Sequence, residues 1–212
     1  DAPIHLNVDL RAGEAAARTE ATGTEAAVLT QHLAERRTEG VRMNVNFLGE
    51  AVLSEAESER RLQQYLQGLQ WPETEVVSIK ISTLYSQISP LAREHTVSVL
   101  CDRLERLFRT ADRAQFVRPD GTSVPKFVYL DMEEYRDKEL TAAAFMRTLD
   151  RDGLQHVRAG IALQSYIPDS YRTLLQLQEW ARRRVAAGGG RITIRLVKGA
   201  NMESERAESS MR

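Results

Sequence analysis

The 212-residue sequence predicts an α/β fold, a (β/α)8 TIM-type barrel of which the chain holds an incomplete portion with about five parallel strands. Short apolar runs alternate with longer helical patterns, and the connections are long enough for right-handed crossovers between parallel strands. The first strand lacks the G-x-G-x-x-G turn that usually follows it in an open doubly wound sheet. Because eight strands need about 250 residues, we favour part of a longer protein over an open half-barrel.

Five runs rich in Val, Ile and Leu are bounded by polar or turn-forming residues, which is typical of buried strands. The first of them alternates apolar and polar residues with a period of two from Val41 to Leu48. The predicted core strands are 43–48, 76–81, 126–131, 159–165 and 191–198.

Helical patterns connect these strands. Ser54 and Glu57 have the spacing of a capping box, Leu91 begins the apolar spacing of the third helix, and Thr141 is the expected N-cap of the fourth. Turn-forming residues between the third helix and the next strand predict a small hairpin within 112–125. The predicted helices are 14–38, 54–68, 90–111, 140–150 and 169–187.

We divide the chain into an N-terminal helical segment, residues 1–39, and a barrel portion, residues 40–212. The first segment opens with a short apolar piece at 4–8, and Gly40 is the expected end of its helix. The barrel portion closes with residues 202–212, which have the composition of one more helix.

Composition and charge narrow the class of partner. The net charge of −1 gives no electrostatic reason to expect nucleic acid or an anionic membrane as a partner. No apolar run reaches the roughly 18–20 residues that a membrane span needs. The single cysteine, Cys101, lies in an amphipathic pattern and is predicted to be a small core residue, which fits a reducing cytoplasm. We expect a cytoplasmic protein.

Four of the predicted strands end on polar groups that a buried strand should avoid. Burying an unpaired charge is costly, so a sequence places charges there only when they are paired or used. Since chemistry in parallel α/β folds sits at the carboxyl ends of the strands, this pattern predicts a site built from successive strand ends. The residues concerned are Lys80, Asp131, Gln164, Arg195 and Lys198.

Five segments containing these residues resemble proline dehydrogenase, in particular the flavin-dependent barrel of the bifunctional proline-utilisation enzymes of bacteria. The resemblance covers about residues 40–212, and the R-L-V-K-G-A motif is its most specific part. The matching segments are Asn46-Phe47-Leu48-Gly49-Glu50, Ser78-Ile79-Lys80-Ile81-Ser82, Tyr129-Leu130-Asp131-Met132-Glu133-Glu134, Leu163-Gln164-Ser165-Tyr166 and Arg195-Leu196-Val197-Lys198-Gly199-Ala200-Asn201.

The resemblance implies FAD as cofactor and L-proline as substrate. It implies oxidation of proline to Δ1-pyrroline-5-carboxylate by hydride transfer to flavin N5, with a quinone as the electron acceptor. A pyrroline-5-carboxylate dehydrogenase domain fused to this one is a further expectation, and a homo-oligomer and peripheral binding to the inner face of the membrane stay open.

The resemblance also implies roles for individual residues. Lys80, Asp131 and Arg195 would be catalytic, with Arg195 beside flavin N5, where a positive charge stabilises the charge that builds up on a reduced flavin. Gln164 would hydrogen-bond the isoalloxazine ring. The remaining residues implied to bind FAD are Val197, Lys198, Gly199 and Ala200, of which Gly199 and Ala200 would let the backbone approach a phosphate.

Two features of the family have no counterpart in this sequence, namely a later strand bearing Thr-His-Asn and a C-terminal helix with Tyr-x-x-Arg-Arg. Asn201 and Met202 stand where some relatives have two aromatic residues. These departures leave two alternatives: a barrel fragment without activity of its own, or a lyase on the same fold that uses Lys80 as a Schiff-base nucleophile. We assign no metal site, although Asp131 to Glu134 would be the candidate cluster.

Overall fold

The computed structural model describes residues 5–10, 23–47, 51–132 and 134–198. Its elements follow the alternation of strands and helices that the sequence predicts. The strands are β1 (His5–Leu10), β2 (Arg42–Phe47), β3 (Val76–Lys80), β4 (Gln115–Val117), β5 (Ser123–Pro125), β6 (Phe127–Asp131), β7 (Ala159–Gln164) and β8 (Ile192–Val197). The helices are α1 (Gly23–Thr38), α2 (Glu55–Gly68), α3 (Ile81–Leu84), α4 (Arg93–Arg113), α5 (Lys138–Leu149) and α6 (Ser170–Ala186).

Six parallel strands form one sheet in the order β1-β2-β3-β6-β7-β8, which confirms the predicted α/β class. All five predicted core strands are present. The sixth, β1, overlaps the short apolar piece at 4–8, ahead of the helix predicted at 14–38, and was not among the predicted core strands. Strands β4 and β5 pair antiparallel, as the turn residues between them predict. The predicted last helix, 202–212, lies outside the described residues.

One face of the main sheet carries the hydrophobic core. The strand residues of this core occupy every second position and pack with apolar residues of α2, α4, α5 and α6. Because successive side chains of a strand point to opposite faces, the intervening residues lie on the other face. The core positions are Val77, Ile79, Val128, Leu130, Ala159, Ile161 and Leu163. The intervening positions include Lys80, Asp131, Gln164 and Arg195, so the predicted site residues share one face.

Helix ends follow local chemistry with two exceptions. Ser54 Oγ accepts a hydrogen bond from the Glu57 N–H, which confirms Ser54 as the N-cap, and the Glu57 carboxylate accepts one from the N–H of Leu53, one residue before the N-cap. Leu91 was predicted to be on the apolar face of α4, but the helix begins two residues later and Leu91 is fully exposed. Thr141 is not an N-cap, because α5 begins at residue 138 and the Thr141 hydroxyl donates to the Asp137 carbonyl inside the helix.

The predicted packing role of Cys101 is confirmed, and Trp180 of α6 also packs in the core. Cys101 is buried among the apolar residues of α4, and burial raises the pKa of its thiol. Trp180 is buried against Phe145, and its indole N–H donates to the Asp150 carboxylate.

At the amino ends of the strands, ionic contacts join the main sheet to the β4–β5 hairpin. Glu75 is buried and accepts hydrogen bonds from Arg42 at 2.9 Å and Arg118 at 3.0 Å. Lys126 is also buried, and its ammonium donates to the Trp71 carbonyl. A cavity of about 360 Å³ lies at this end of the sheet. Within the described part of the chain, no helix has the length and apolar character to cross a membrane.

Candidate active site

The carboxyl ends of β3, β6 and β7 present the predicted polar residues side by side. Lys80, Asp131 and Gln164 are the last residues of these three strands. Lys80 and Asp131 are direct register partners between β3 and β6. The sequence therefore predicted the grouping of these side chains correctly, because parallel neighbours in register end at one edge.

Arg195 reaches this group from β8, across the intervening strand β7. Its Nη2 donates to Asp131 in an ion pair whose partners are largely shielded from solvent, with 27% and 16% of the Arg195 and Asp131 side chains exposed. The residue of β7 in register with Arg195 is Ala162, whose small side chain leaves room for the guanidinium. The residue pattern did not predict this pairing of Asp131 with Arg195.

Tyr129 lies beneath the guanidinium. Arg195 Cζ is 4.9 Å from the centroid of the Tyr129 ring, within the range of a cation–π contact. Tyr129 is in register with Gly160 of β7, and its ring packs over that glycine. Sequence reasoning missed Tyr129 and Gly160. The signal that could have found them is the pair of small residues at alternate positions of β7, Gly160 and Ala162. Small residues on the inner face of a barrel leave space that a neighbouring side chain must fill.

Gln164 and the turn after β7 form the next part of the site. Gln164 is buried, and its Nε2 donates to the Tyr166 hydroxyl at 3.0 Å. Val197, at the end of β8, is in register with Gln164, and its carbonyl accepts from the Ser165 N–H at 2.8 Å and the Ser165 hydroxyl at 3.0 Å. Lys198 follows β8 and is exposed. The other two residues predicted to bind FAD, Gly199 and Ala200, lie outside the described residues.

The loops after β6 and β7 are joined near this edge by a second ionic contact. The buried ammonium of Lys138 lies 3.0 Å from the Asp169 carboxylate and 4.4 Å from the Tyr135 ring centroid. Tyr135 donates to the same carboxylate at 2.6 Å. Hydrogen bonds from Tyr135 and Lys138 lower the pKa of Asp169. Asp169 therefore stays ionised and ties the first turn of α6 to the loop before α5.

The arrangement provides hydrogen-bond donors and positive charge at one edge of a parallel sheet. Arg195 Nε is buried and, within the described residues, has no hydrogen-bond acceptor. A buried donor without an acceptor is costly, so Arg195 holds its position against a desolvation penalty. Across the described residues, no cluster of three or more His, Cys, Asp or Glu could hold a metal ion, and Glu133 of the candidate metal cluster lies outside them.

Comparison with known families and structures gives a consistent result. The family model described as proline dehydrogenase matches residues 29–212. The structure of proline utilization A from Corynebacterium freiburgense is 39% identical, with a TM-score of 0.78, and the match covers 87% of this chain and 18% of that one. Proline utilization A from Bdellovibrio bacteriovorus, inactivated by N-propargylglycine, is 28% identical, with a TM-score of 0.73, over 90% of this chain and 20% of that one.

The chain thus spans about a fifth of the length of these two proteins. A search of curated proteins gave no match.

Proposed function

The chain belongs to the proline dehydrogenase family, and from this premise we propose that it forms part of an enzyme that oxidises L-proline to Δ1-pyrroline-5-carboxylate with FAD as cofactor. The observation that carries the proposal is Arg195, a cation held at the carboxyl edge of the sheet by Asp131. A cation in this place suits a reaction that leaves negative charge on the cofactor.

The donor set fits a flavin. The isoalloxazine ring system presents carbonyl oxygens and ring nitrogens, which accept hydrogen bonds, and it gains negative charge on reduction. Arg195 supplies charge and guanidinium N–H donors, Gln164 supplies an amide, and Lys80 adds a second cation on the same face. When bound, FAD supplies the acceptor for the two electrons and the hydrogen that leave proline.

Each protein group then has a defined task. Arg195 stabilises developing negative charge, and Asp131 fixes the direction of its guanidinium. Tyr166 accepts a hydrogen bond from Gln164 Nε2 and so orients the Gln164 amide. Val197, Lys198, Gly199 and Ala200 would follow the ribityl and pyrophosphate part of FAD, with Val197 anchored through its carbonyl to Ser165.

The proposal extends to the partners of the whole protein. The electrons would pass to a quinone, and a fused pyrroline-5-carboxylate dehydrogenase domain would consume the product. The coverage of only about a fifth of each matched protein supports further domains. The group that binds the proline carboxylate would come from outside the present 212 residues, since the Tyr-x-x-Arg-Arg pattern does not occur in them.

The test is the visible absorption spectrum of the purified whole protein, with the group that binds the proline carboxylate included, before and after anaerobic addition of L-proline. We expect a flavin band that bleaches with proline. Arg195→Met should retain the fold and lose the bleaching, whereas Arg191→Met, an exposed arginine just before β8, should bleach normally.

Three outcomes would contradict the proposal. Bleaching in Arg195→Met at the wild-type rate would remove Arg195 from its role. A whole protein without a flavin band would remove FAD as its cofactor, whereas a missing band in the 212-residue chain alone would support a fragment that is inactive by itself. Trapping of substrate on Lys80 by borohydride would support the Schiff-base lyase instead.

A further inference from the structure

Strand β7 contributes a shallow trough to the polar face of the sheet. It lies between β6 and β8, and two of its positions on this face are Gly160 and Ala162. A Cβ built at Gly160 would lie 2.2 Å from both Cδ1 and Cε1 of Tyr129. No side chain fits in that space while the ring is there. The ring of Tyr129 therefore occupies the volume that any larger residue at position 160 would need.

Arg195 enters the same trough from the opposite side. It is in register with Ala162, and its guanidinium extends back over β7 to Asp131 on β6. Strands β8 and β6 are two strand spacings apart, about 10 Å. An extended arginine spans this distance only where the strand between them carries a small residue. The guanidinium then lies against the Tyr129 ring, 4.9 Å from its centroid.

The two contacts restrain different motions of the guanidinium. The ion pair with Asp131 fixes the direction in which Nη2 points, but one hydrogen bond leaves the group free to tilt. The ring of Tyr129 supports it from below and limits that tilt. Phe127 supports the ring in turn, with centroids 5.0 Å apart. Tyr129 also borders the 360 Å³ cavity at the amino ends of the strands.

We propose that Tyr129 is a positioning residue for Arg195, with its ring as the platform for the guanidinium and with Gly160 and Ala162 as the space that admits both groups. The ring itself, and not the phenol hydroxyl, carries this role. The platform follows from the geometry of the chain alone. Its consequence for catalysis rests on the proposed function, which places Arg195 next to the flavin.

The first experiment tests the platform without any cofactor. In the flavin-free protein, ring current from Tyr129 should shift the Arg195 side-chain NMR signals, Hδ and Hε, upfield. Tyr129→Phe should keep this shift, and Tyr129→Leu should remove it. Tyr171→Leu is the matched control, because Tyr171 is 68% exposed on α6, and it should leave the Arg195 signals unchanged.

The second experiment tests the consequence in the flavin-loaded protein. With Tyr129→Leu we expect kcat for proline oxidation to fall about tenfold, as for loss of a partly desolvated cation–π contact, with KM within about twofold. The midpoint potential of the flavin should become more negative, because a displaced cation stabilises the reduced form less. Tyr129→Phe should match the wild type in both measurements.

Two results would overturn the platform. One is a Tyr129→Leu variant with unchanged Arg195 signals and unchanged potential. The other is a Tyr129→Phe variant that loses as much as Tyr129→Leu, since the hydroxyl would then be the active part. If the wild type binds no flavin, the proposed function fails, while the NMR comparison still decides whether Tyr129 positions Arg195.

Discussion

Arg184 on α6 is the most informative residue to change outside the site. Its guanidinium is buried, with 3% of the side chain exposed, and it donates to four backbone carbonyls. Nη2 bonds the carbonyls of Leu154 at 2.8 Å and Val157 at 3.1 Å, Nε bonds Gly190 at 3.1 Å, and Nη1 bonds Leu149. Leu149 is the last residue of α5, Leu154 and Val157 lie in the turn before β7, and Gly190 lies in the turn before β8. One side chain thus holds the starts of the two strands that carry Gln164 and Arg195.

The expected loss of stability in Arg184→Met follows from the number of backbone carbonyls that lose their hydrogen-bond donor. A buried polar group left without its partner costs about 1–3 kcal/mol, and four acceptors lose their partner at once. Water can enter beside the exposed Gly188 and relieve part of this loss. We therefore expect a loss of about 3–5 kcal/mol in the free energy of unfolding, the range found when a buried charged network is broken.

The assay is urea unfolding followed by circular dichroism on three variants. Arg184→Met should show the full loss. Arg184→Lys should fall between it and the wild type, because an ammonium has three donors and cannot reach all four carbonyls. Arg183→Met changes the exposed neighbour and should stay within about 0.5 kcal/mol of the wild type. If Arg184→Met is as stable as Arg183→Met, the carbonyl contacts do not hold this part of the fold.

Three shorter predictions concern ionic contacts. Burial lowers the pKa of Lys126 from 10.5 to about 8. Between these pH values the unfolded chain binds more protons than the folded protein, so the free energy of unfolding should rise with pH from 8 to 10.5 relative to that of Lys126→Met. Burial raises the pKa of Glu75, but hydrogen bonds from two arginines outweigh it and leave the pKa below 4.5. The stability that Glu75 contributes is therefore present above pH 4.5 and lost at lower pH, and Glu75→Gln should weaken this acid dependence in pH titrations of urea unfolding. Asp131→Asn combined with Arg195→Met in a double-mutant cycle should give a coupling of about 1 kcal/mol, and additive effects would argue against the ion pair.

The fold could be predicted from local patterns because each of these patterns favours one type of secondary structure. Alternating runs such as 43–48 and fully apolar runs such as 159–163 require strands, and the helical spacing between them requires crossovers. The predictions were wrong where the same residue can take two different local roles. Thr141 could cap a helix or donate to a carbonyl within one, and only the packing of α5 selected the second. Leu91 has the spacing of a core residue but precedes the first turn of α4.

For the site, the sequence by itself determined which residues gather at one edge. Lys80, Asp131 and Gln164 end parallel strands, and parallel strands in register end together. The family motif around Arg195 added the expectation of a flavin cofactor.

Only the tertiary structure decided which groups touch. The choice of Arg195 as the partner of Asp131 depends on a strand between them that carries alanine at the crossing point. The choice of Arg184 from three consecutive arginines depends on which of them faces the turns before β7 and β8. Both choices depend on the distances between elements far apart in the chain, and a linear pattern of residue types does not contain those distances.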